Sequence, residues 1–122
     1  MIVIKKKKIT LIKRKWLSKF NPIEYSIKYV SDNPDYNKIK KGEMIIVGGK
    51  GYVKWAYFNC PSGCGDIIVL PLTKSKGPNW KLKVNKIGQP TLSPSVWKTD
   101  GCKSHFFVRK GKVIWAHSFY ND

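Results

Sequence analysis

The chain has 122 residues, with 24 lysines and arginines against 7 aspartates and glutamates, which gives a formal net charge of +17. This length suits one domain, and the charge excludes a neutral or acidic surface and favours acidic partners. Only Arg14 and Arg109 are arginine. Because AT-rich genomes favour lysine without selection on protein function, part of this charge carries no functional information. The hydrophobic share of 42 % excludes disorder over most of the chain.

Residues 1–41 are predicted to form a basic extension, either separate from the following domain or partly packed on it. The densest charge lies in Lys5–Lys8 and in Lys13–Lys15. Lys13–Phe20 is the one plausible helix, whereas Tyr25–Tyr29 alternates with the period of a half-buried strand. The extension is therefore a candidate arm for nucleic acid or an acidic protein surface.

The order of apolar and charged residues at the start does not fit a secretory signal. Met1–Ile4 precedes the lysines, whereas a signal peptide has its charges first and a longer apolar stretch behind them. The longest apolar run, Ile67–Leu72, is far too short to span a bilayer. We therefore expect a cytoplasmic protein without a membrane partner.

Residues 42–122 are predicted to form a small, mostly antiparallel all-β domain, with at most one short helix in the whole chain. Short apolar or alternating runs are separated by glycine-containing turns, and two pairs of runs have the pattern of hairpins. The predicted strands lie in Met44–Val47, Tyr52–Phe58, Ile67–Leu72, Trp80–Val84, Thr91–Leu92, Phe106–Val108 and Val113–Trp115.

Three cysteines and a histidine have the spacing of a metal site. Cys60 and Cys64 flank a glycine-rich turn, and Cys102 is followed three residues later by His105. Three sulfur ligands and one nitrogen ligand are typical of a closed tetrahedral zinc site, which is structural because no position stays open for water. The alternative is that these residues are buried without a metal. Asp66 follows the turn and either orients His105, serves catalysis or is an exposed acid.

Four blocks, taken together and in order, resemble a family of small bacterial and phage domains found beside bacterial ubiquitin-like conjugation genes. The resemblance covers about residues 55–117. The blocks are Phe58–Asp66, Trp80–Leu82, Pro90–Trp97 and Gly101–Val108. It implies metal-binding cysteines and a serine-type peptidase that trims a ubiquitin-like precursor, which would be the partner. One departure is Ser62, where the family has a further cysteine, so His105 is expected as the fourth ligand here.

A serine peptidase needs a nucleophile and a base, and the shared blocks offer Ser95 and Ser104 as nucleophiles. The two histidines of the chain are His105 and His117. Because a zinc-bound imidazole has no lone pair left to accept a proton, one histidine binds metal and the other is the base. We expect His105 at the metal and His117 at the catalytic site, with the reverse as the alternative, and Asp66 as the candidate carboxylate.

The predicted hairpin around Lys110-Gly111 makes the pairing of these residues testable. A two-residue turn pairs Arg109 with Lys112 and sets Ser104 opposite His117, whereas a three-residue loop sets His105 opposite His117. The rival functions are a basic zinc-containing module that binds nucleic acid and a non-catalytic adaptor for an acidic protein.

Overall fold

The structure is a computed structural model that describes residues 2–5, 24–74 and 77–116. Nine strands and one 3-10 helix (Tyr36–Lys38) make up its regular elements. The strands are β1 (Ile2–Lys5), β2 (Ser26–Val30), β3 (Glu43–Gly49), β4 (Tyr52–Asn59), β5 (Asp66–Pro71), β6 (Lys81–Val84), β7 (Pro90–Trp97), β8 (His105–Arg109) and β9 (Lys112–Trp115). The predicted all-β class is confirmed, and the helix expected over Lys13–Phe20 lies outside the described residues.

The strands form two sheets. The first has the order β1-β5-β4-β3-β2, and the second has the order β6-β7-β8-β9. All neighbours are antiparallel except β2 and β3, which are parallel. The segment expected to be an extension therefore supplies β1 and β2 to the first sheet, and its Ile39 is buried.

The main core contains residues of both sheets. In the first sheet Met44 and Phe58 are fully buried, and in the second sheet Val96 and Phe106 are fully buried in the same cluster. A second apolar cluster comprises Ile39, Ile45, Val47, Tyr57, Ile67 and Val69. Because β3 contributes alternate residues to the two clusters, the first sheet is covered on both faces, which explains why β3 and β5 are continuously apolar.

The hairpin between β8 and β9 has the two-residue turn. Arg109 pairs with Lys112, and the turn residues Lys110 and Gly111 both have positive φ, of 49° and 80°. These are the backbone angles that join two twisted antiparallel strands most tightly. The backbone of Gly111 also accepts a hydrogen bond from Tyr25 (2.6 Å) and donates one to Pro90 (2.7 Å), which ties the turn to the chain before β2 and to β7.

Candidate active site and cysteine cluster

The turn between β4 and β5 brings two cysteines together at one end of the first sheet. Cys60 directly follows β4, and its amide donates to the carbonyl of Asp66, the first residue of β5 (2.9 Å). Gly63 and Gly65 have positive φ, of 80° and 92°, which side chains other than that of glycine rarely adopt. These glycines let the chain reverse within five residues and place Cys64 beside Cys60.

The third cysteine comes from the loop that joins β7 to β8. The sulfur atoms of Cys60, Cys64 and Cys102 all lie within 4.8 Å of one another, and those of Cys60 and Cys102 are 3.7 Å apart. In a tetrahedral site with zinc–sulfur bonds of about 2.3 Å, two sulfur ligands are about 3.8 Å apart. The three cysteines are therefore close enough to coordinate one metal ion.

Two serine hydroxyls lie against these thiols. The Oγ of Ser62 is 3.2 Å from the sulfur of Cys60 and 3.3 Å from that of Cys102, and it accepts the amide of Cys64 (3.2 Å). The Oγ of Ser104 is 3.0 Å from the sulfur of Cys102. Ser62, where the resemblance implies a further cysteine, thus contacts the thiols, and Ser104, expected as a nucleophile, also contacts the cysteine cluster.

Lys98 is a site residue that the sequence reasoning missed. Its side chain is fully buried, and its Nζ donates to the Oδ2 of Asp66 (2.6 Å) and to the sulfurs of Cys102 (3.1 Å) and Cys64 (3.3 Å). Burial alone would lower the pKa of Lys98, but the hydrogen bond to Asp66 and the neighbouring sulfurs raise it above its usual value. A permanent positive charge therefore lies beside the three thiols.

The pKa values of Cys60 and Cys102 are shifted in opposite directions. Hydrogen bonds from Cys60 and Cys64, assisted by the hydroxyls of Ser104 and Ser62, lower the pKa of Cys102. The pKa of Cys60 is raised, first because its hydrogen bond to Cys102 favours the protonated form. Cys102 is therefore the thiol that ionises first, next to the Lys98 ammonium group.

A serine and a histidine meet on the second sheet. The Oγ of Ser95, near the end of β7, is 2.8 Å from the Nε2 of His105, the first residue of β8. Trp97 pairs with His105 across the two strands, so Ser95 is the diagonal neighbour of His105 on the same face. Ser95 lies within an irregularity of the register between Leu92 and Val96, and such irregularities change the direction in which a side chain points.

Aromatic rings hold the imidazole of His105. The ring of Trp97 stacks on it with centroids 4.8 Å apart and an angle of 11° between the planes, and the ring of Phe107 lies at 6.1 Å. The indole Nε1 of Trp80 donates to the carbonyl of Ser95 (3.2 Å), which fixes the backbone of the serine. Ser95 and His105 are thus a pre-positioned hydrogen-bonded pair.

The position of His105 differs from the expectation that it is the fourth ligand. Among the described residues, the metal-binding group comprises Cys60, Cys64 and Cys102, and His105 is paired with Ser95 instead. The reason is that His105 begins a strand whose next residue, Phe106, faces the core, so the imidazole faces outward. The imidazole of His105 is therefore placed for contact with Ser95, and the group that could hold a metal comprises the three thiols.

The remaining predicted site residues have other places. Asp66, expected near His105 or in catalysis, is paired with Lys98. The register of the last hairpin is the one that sets Ser104 toward residue 117, but His117 itself lies outside the described residues. The basic run Lys13–Lys15 also lies outside them. In the described part of the chain, no helix is long and apolar enough to cross a membrane.

Comparison with known proteins places these residues within a protein family. A family model described as "Bacterial ubiquitination-like system serine protease (BubE)" matches residues 29–116. No curated protein and no solved structure matches the chain. The matched range contains the three cysteines, the Ser95–His105 pair and Lys98.

Proposed function

Because the chain belongs to the family of bacterial ubiquitination-like system serine proteases, we propose that it is a serine-type peptidase that processes a ubiquitin-like protein. The nucleophile is Ser95 and the general base is His105. The observation that supports this proposal is the 2.8 Å contact between the Oγ of Ser95 and the Nε2 of His105. That distance lies within the range in which a base takes the proton of its nucleophile.

The chemistry follows from these two groups. With Nε2 as the acceptor, His105 takes the hydroxyl proton as the Oγ of Ser95 attacks the carbonyl carbon of the substrate. The resulting imidazolium gives this proton to the leaving group, and an acyl-enzyme remains. Water, deprotonated by the same nitrogen, then releases the acyl group and restores Ser95.

The proposed base is oriented by packing against aromatic rings and, among the described residues, not by a hydrogen bond to a carboxylate. In the described residues the ring of His105 lies against Trp97 and Phe107, and the carboxylate of Asp66 is held by Lys98. Two aromatic contacts restrict the rotation of the imidazole and hold its Nε2 toward the Oγ of Ser95. Trp97 is therefore the positioning residue of the proposed pair.

We also propose that Cys60, Cys64 and Cys102 hold a structural zinc ion. Three thiols within 4.8 Å of one another, of which Cys60 and Cys102 have the spacing of a tetrahedral edge, are a donor set that zinc prefers. The ion would connect the β4–β5 turn to the β7–β8 loop. Such a site requires reduced thiols, which fits the cytoplasmic location that we propose.

The test uses the full chain and the ubiquitin-like precursor encoded nearest to it. We expect Ser95→Ala and His105→Gln to lower cleavage by about 10³-fold or more, because each removes one half of the reacting pair. Ser93→Ala is the matched control on the same strand, and Ser104→Ala tests the other candidate nucleophile. Cleavage that persists in Ser95→Ala, or that is abolished in Ser104→Ala while the metal stays bound, would overturn the assignment.

A further inference from the structure

The outer face of the second sheet is defined by the alternation of its strands. Leu92, Val96, Phe106 and Val108 are buried in the main core, so the residues between them face away from it. Through the register, this face comprises Lys81 and Lys83 of β6, Thr91, Ser93, Ser95 and Trp97 of β7, His105, Phe107 and Arg109 of β8, and Lys112 and Ile114 of β9. The proposed catalytic pair therefore lies on a surface rather than in a cleft between the sheets.

Positive charges lie on both sides of the catalytic pair on this face. Lys81 and Lys83 are exposed on the strand next to Ser95, and Arg109 and Lys112 are exposed toward the other edge. Two described acids lie near this face: Glu24, at its bridge to Lys112, and Asp100, exposed in the loop between β7 and β8. The four cations outnumber these two acids, so the face has a net positive charge.

A row of flat groups runs along the face from the catalytic pair to one of these cations. Trp97 stacks on His105, His105 lies against Phe107, and the guanidinium group of Arg109 lies 4.7 Å from the centre of the Phe107 ring. Trp97 keeps 62 % of its surface exposed, and a large apolar side chain exposed to this extent often marks a site where another molecule binds. This row combines apolar contact area with a fixed cation at its end.

We propose that this outer face binds an acidic, extended segment of the substrate protein and leads its scissile bond to Ser95. The proposal rests on the peptidase function proposed above, since the occupant of this face must present a carbonyl group to the nucleophile. His105 and Arg109 are four residues apart on one strand, which corresponds to about 13 Å. An acidic side chain about four residues from the scissile bond would therefore reach Arg109.

The experiment measures binding of a fluorescent ten-residue polyglutamate peptide to the full chain, with a polyglutamine peptide of equal length as reference. The face variant Lys81→Glu/Lys83→Glu is compared with Lys28→Glu/Lys50→Glu, which changes the net charge equally at exposed lysines of β2 and of the β3–β4 turn. We expect binding of polyglutamate to weaken about 10-fold in the face variant and less than 2-fold in the control. Arg109→Glu should behave as the face variant does.

Two outcomes would overturn the proposal. Equal weakening in the face variant and the control would mean that the peptide responds to net charge alone. Tighter binding of a ten-nucleotide oligothymidine that depends on the same lysines would assign the face to nucleic acid.

Labelling of Ser95 by a fluorophosphonate probe is measured in the same variants. Because labelling does not need the docking face, its absence in the wild type would contradict the peptidase function and leave the binding result interpretable.

Discussion

The buried pair of Lys98 and Asp66 leads to a quantitative prediction about stability. The two charged atoms are 2.6 Å apart, and the side chains are 0 % and 6 % exposed. At an effective dielectric constant of about 20, their attraction is roughly 6 kcal/mol, which largely offsets the cost of removing both charges from water. Lys98→Met removes the attraction but leaves the carboxylate of Asp66 buried. We therefore expect the free energy of unfolding to fall by about 3–5 kcal/mol.

A second variant separates the ion pair from the other contacts of Lys98. Lys98→Met/Asp66→Asn also lacks the ammonium group beside the thiols, but it leaves no buried charge without a partner. We expect this double variant to be about 2 kcal/mol or more stable than Lys98→Met alone. Urea unfolding, monitored by tryptophan fluorescence, measures both differences in the free energy of unfolding. The metal content of the compared proteins is kept the same.

The reasoning about the pair fails under either of two results. A loss below about 1 kcal/mol in Lys98→Met would show that Asp66 finds water or another partner. A double variant no more stable than the single one would show that the contacts of Lys98 with Cys64 and Cys102, rather than its pairing with Asp66, account for the loss.

Three further predictions concern the turn, the metal and the base. Gly111→Ala should lower the free energy of unfolding by about 2 kcal/mol or more, because the added Cβ would lie 2.8 Å from the carbonyl oxygen of Tyr25. Gly51→Ala is also at positive φ but in open space, so it should lower this free energy by about 1 kcal/mol. Thermal unfolding measures both changes. Cys102→Ser should lower the bound zinc, measured by elemental analysis, from about one ion per chain to well below that value. Trp97→Ala should lower kcat/KM about 10-fold, because both the positioning of the imidazole and contact area on the docking face are lost, whereas Trp97→Phe retains most of kcat/KM because a ring still stacks on the imidazole.

Much of the fold was predictable because the second sheet and the hairpins follow simple alternation. The runs around Tyr52–Phe58 and Phe106–Val108 became strands of antiparallel pairs, as their patterns indicate. The part that was harder to predict is the first sheet, where the chain before residue 41 adds a parallel strand. Pairing between distant segments depends on tertiary packing, and the local pattern of Ser26–Val30 contains no information about its neighbour.

The candidate site was predictable in its residue types but not in its groupings. The spacing of Cys60 and Cys64 indicated a turn that brings two thiols together, and the structure brings Cys102 to them. The spacing between Cys102 and His105 suggested one more ligand, but His105 is the first residue of β8, and the alternation of that strand places the imidazole on the outer face, where it contacts Ser95. Spacing along the chain gives no information about this change of face.

Lys98 was missed because it is one of 24 basic residues in a chain whose lysines are mostly exposed. The feature that could have identified Lys98 is its position in the strand pattern. Two residues after the buried Val96, the alternation of β7 directs the side chain inward, toward a core end that carries Asp66. A lysine at an inward position, with a carboxylate in the turn that faces it, is better interpreted as part of an ion pair than as part of the surface charge.

The cysteine cluster and the serine–histidine pair share one loop, which connects their functions physically. Residues 98–104 join the strand of Ser95 to the strand of His105, and the backbone amide of Lys98 donates to the carbonyl of Ser104 (2.8 Å) to close this loop. Lys98 and Cys102 in the loop contact Asp66 of β5 and Cys60, which directly follows β4. The loop between Ser95 and His105 is therefore tied to the end of the other sheet. In the peptidase that we propose, a zinc ion at the thiols would hold this loop in place and so support the geometry of the proposed Ser95–His105 pair, without contact with the substrate.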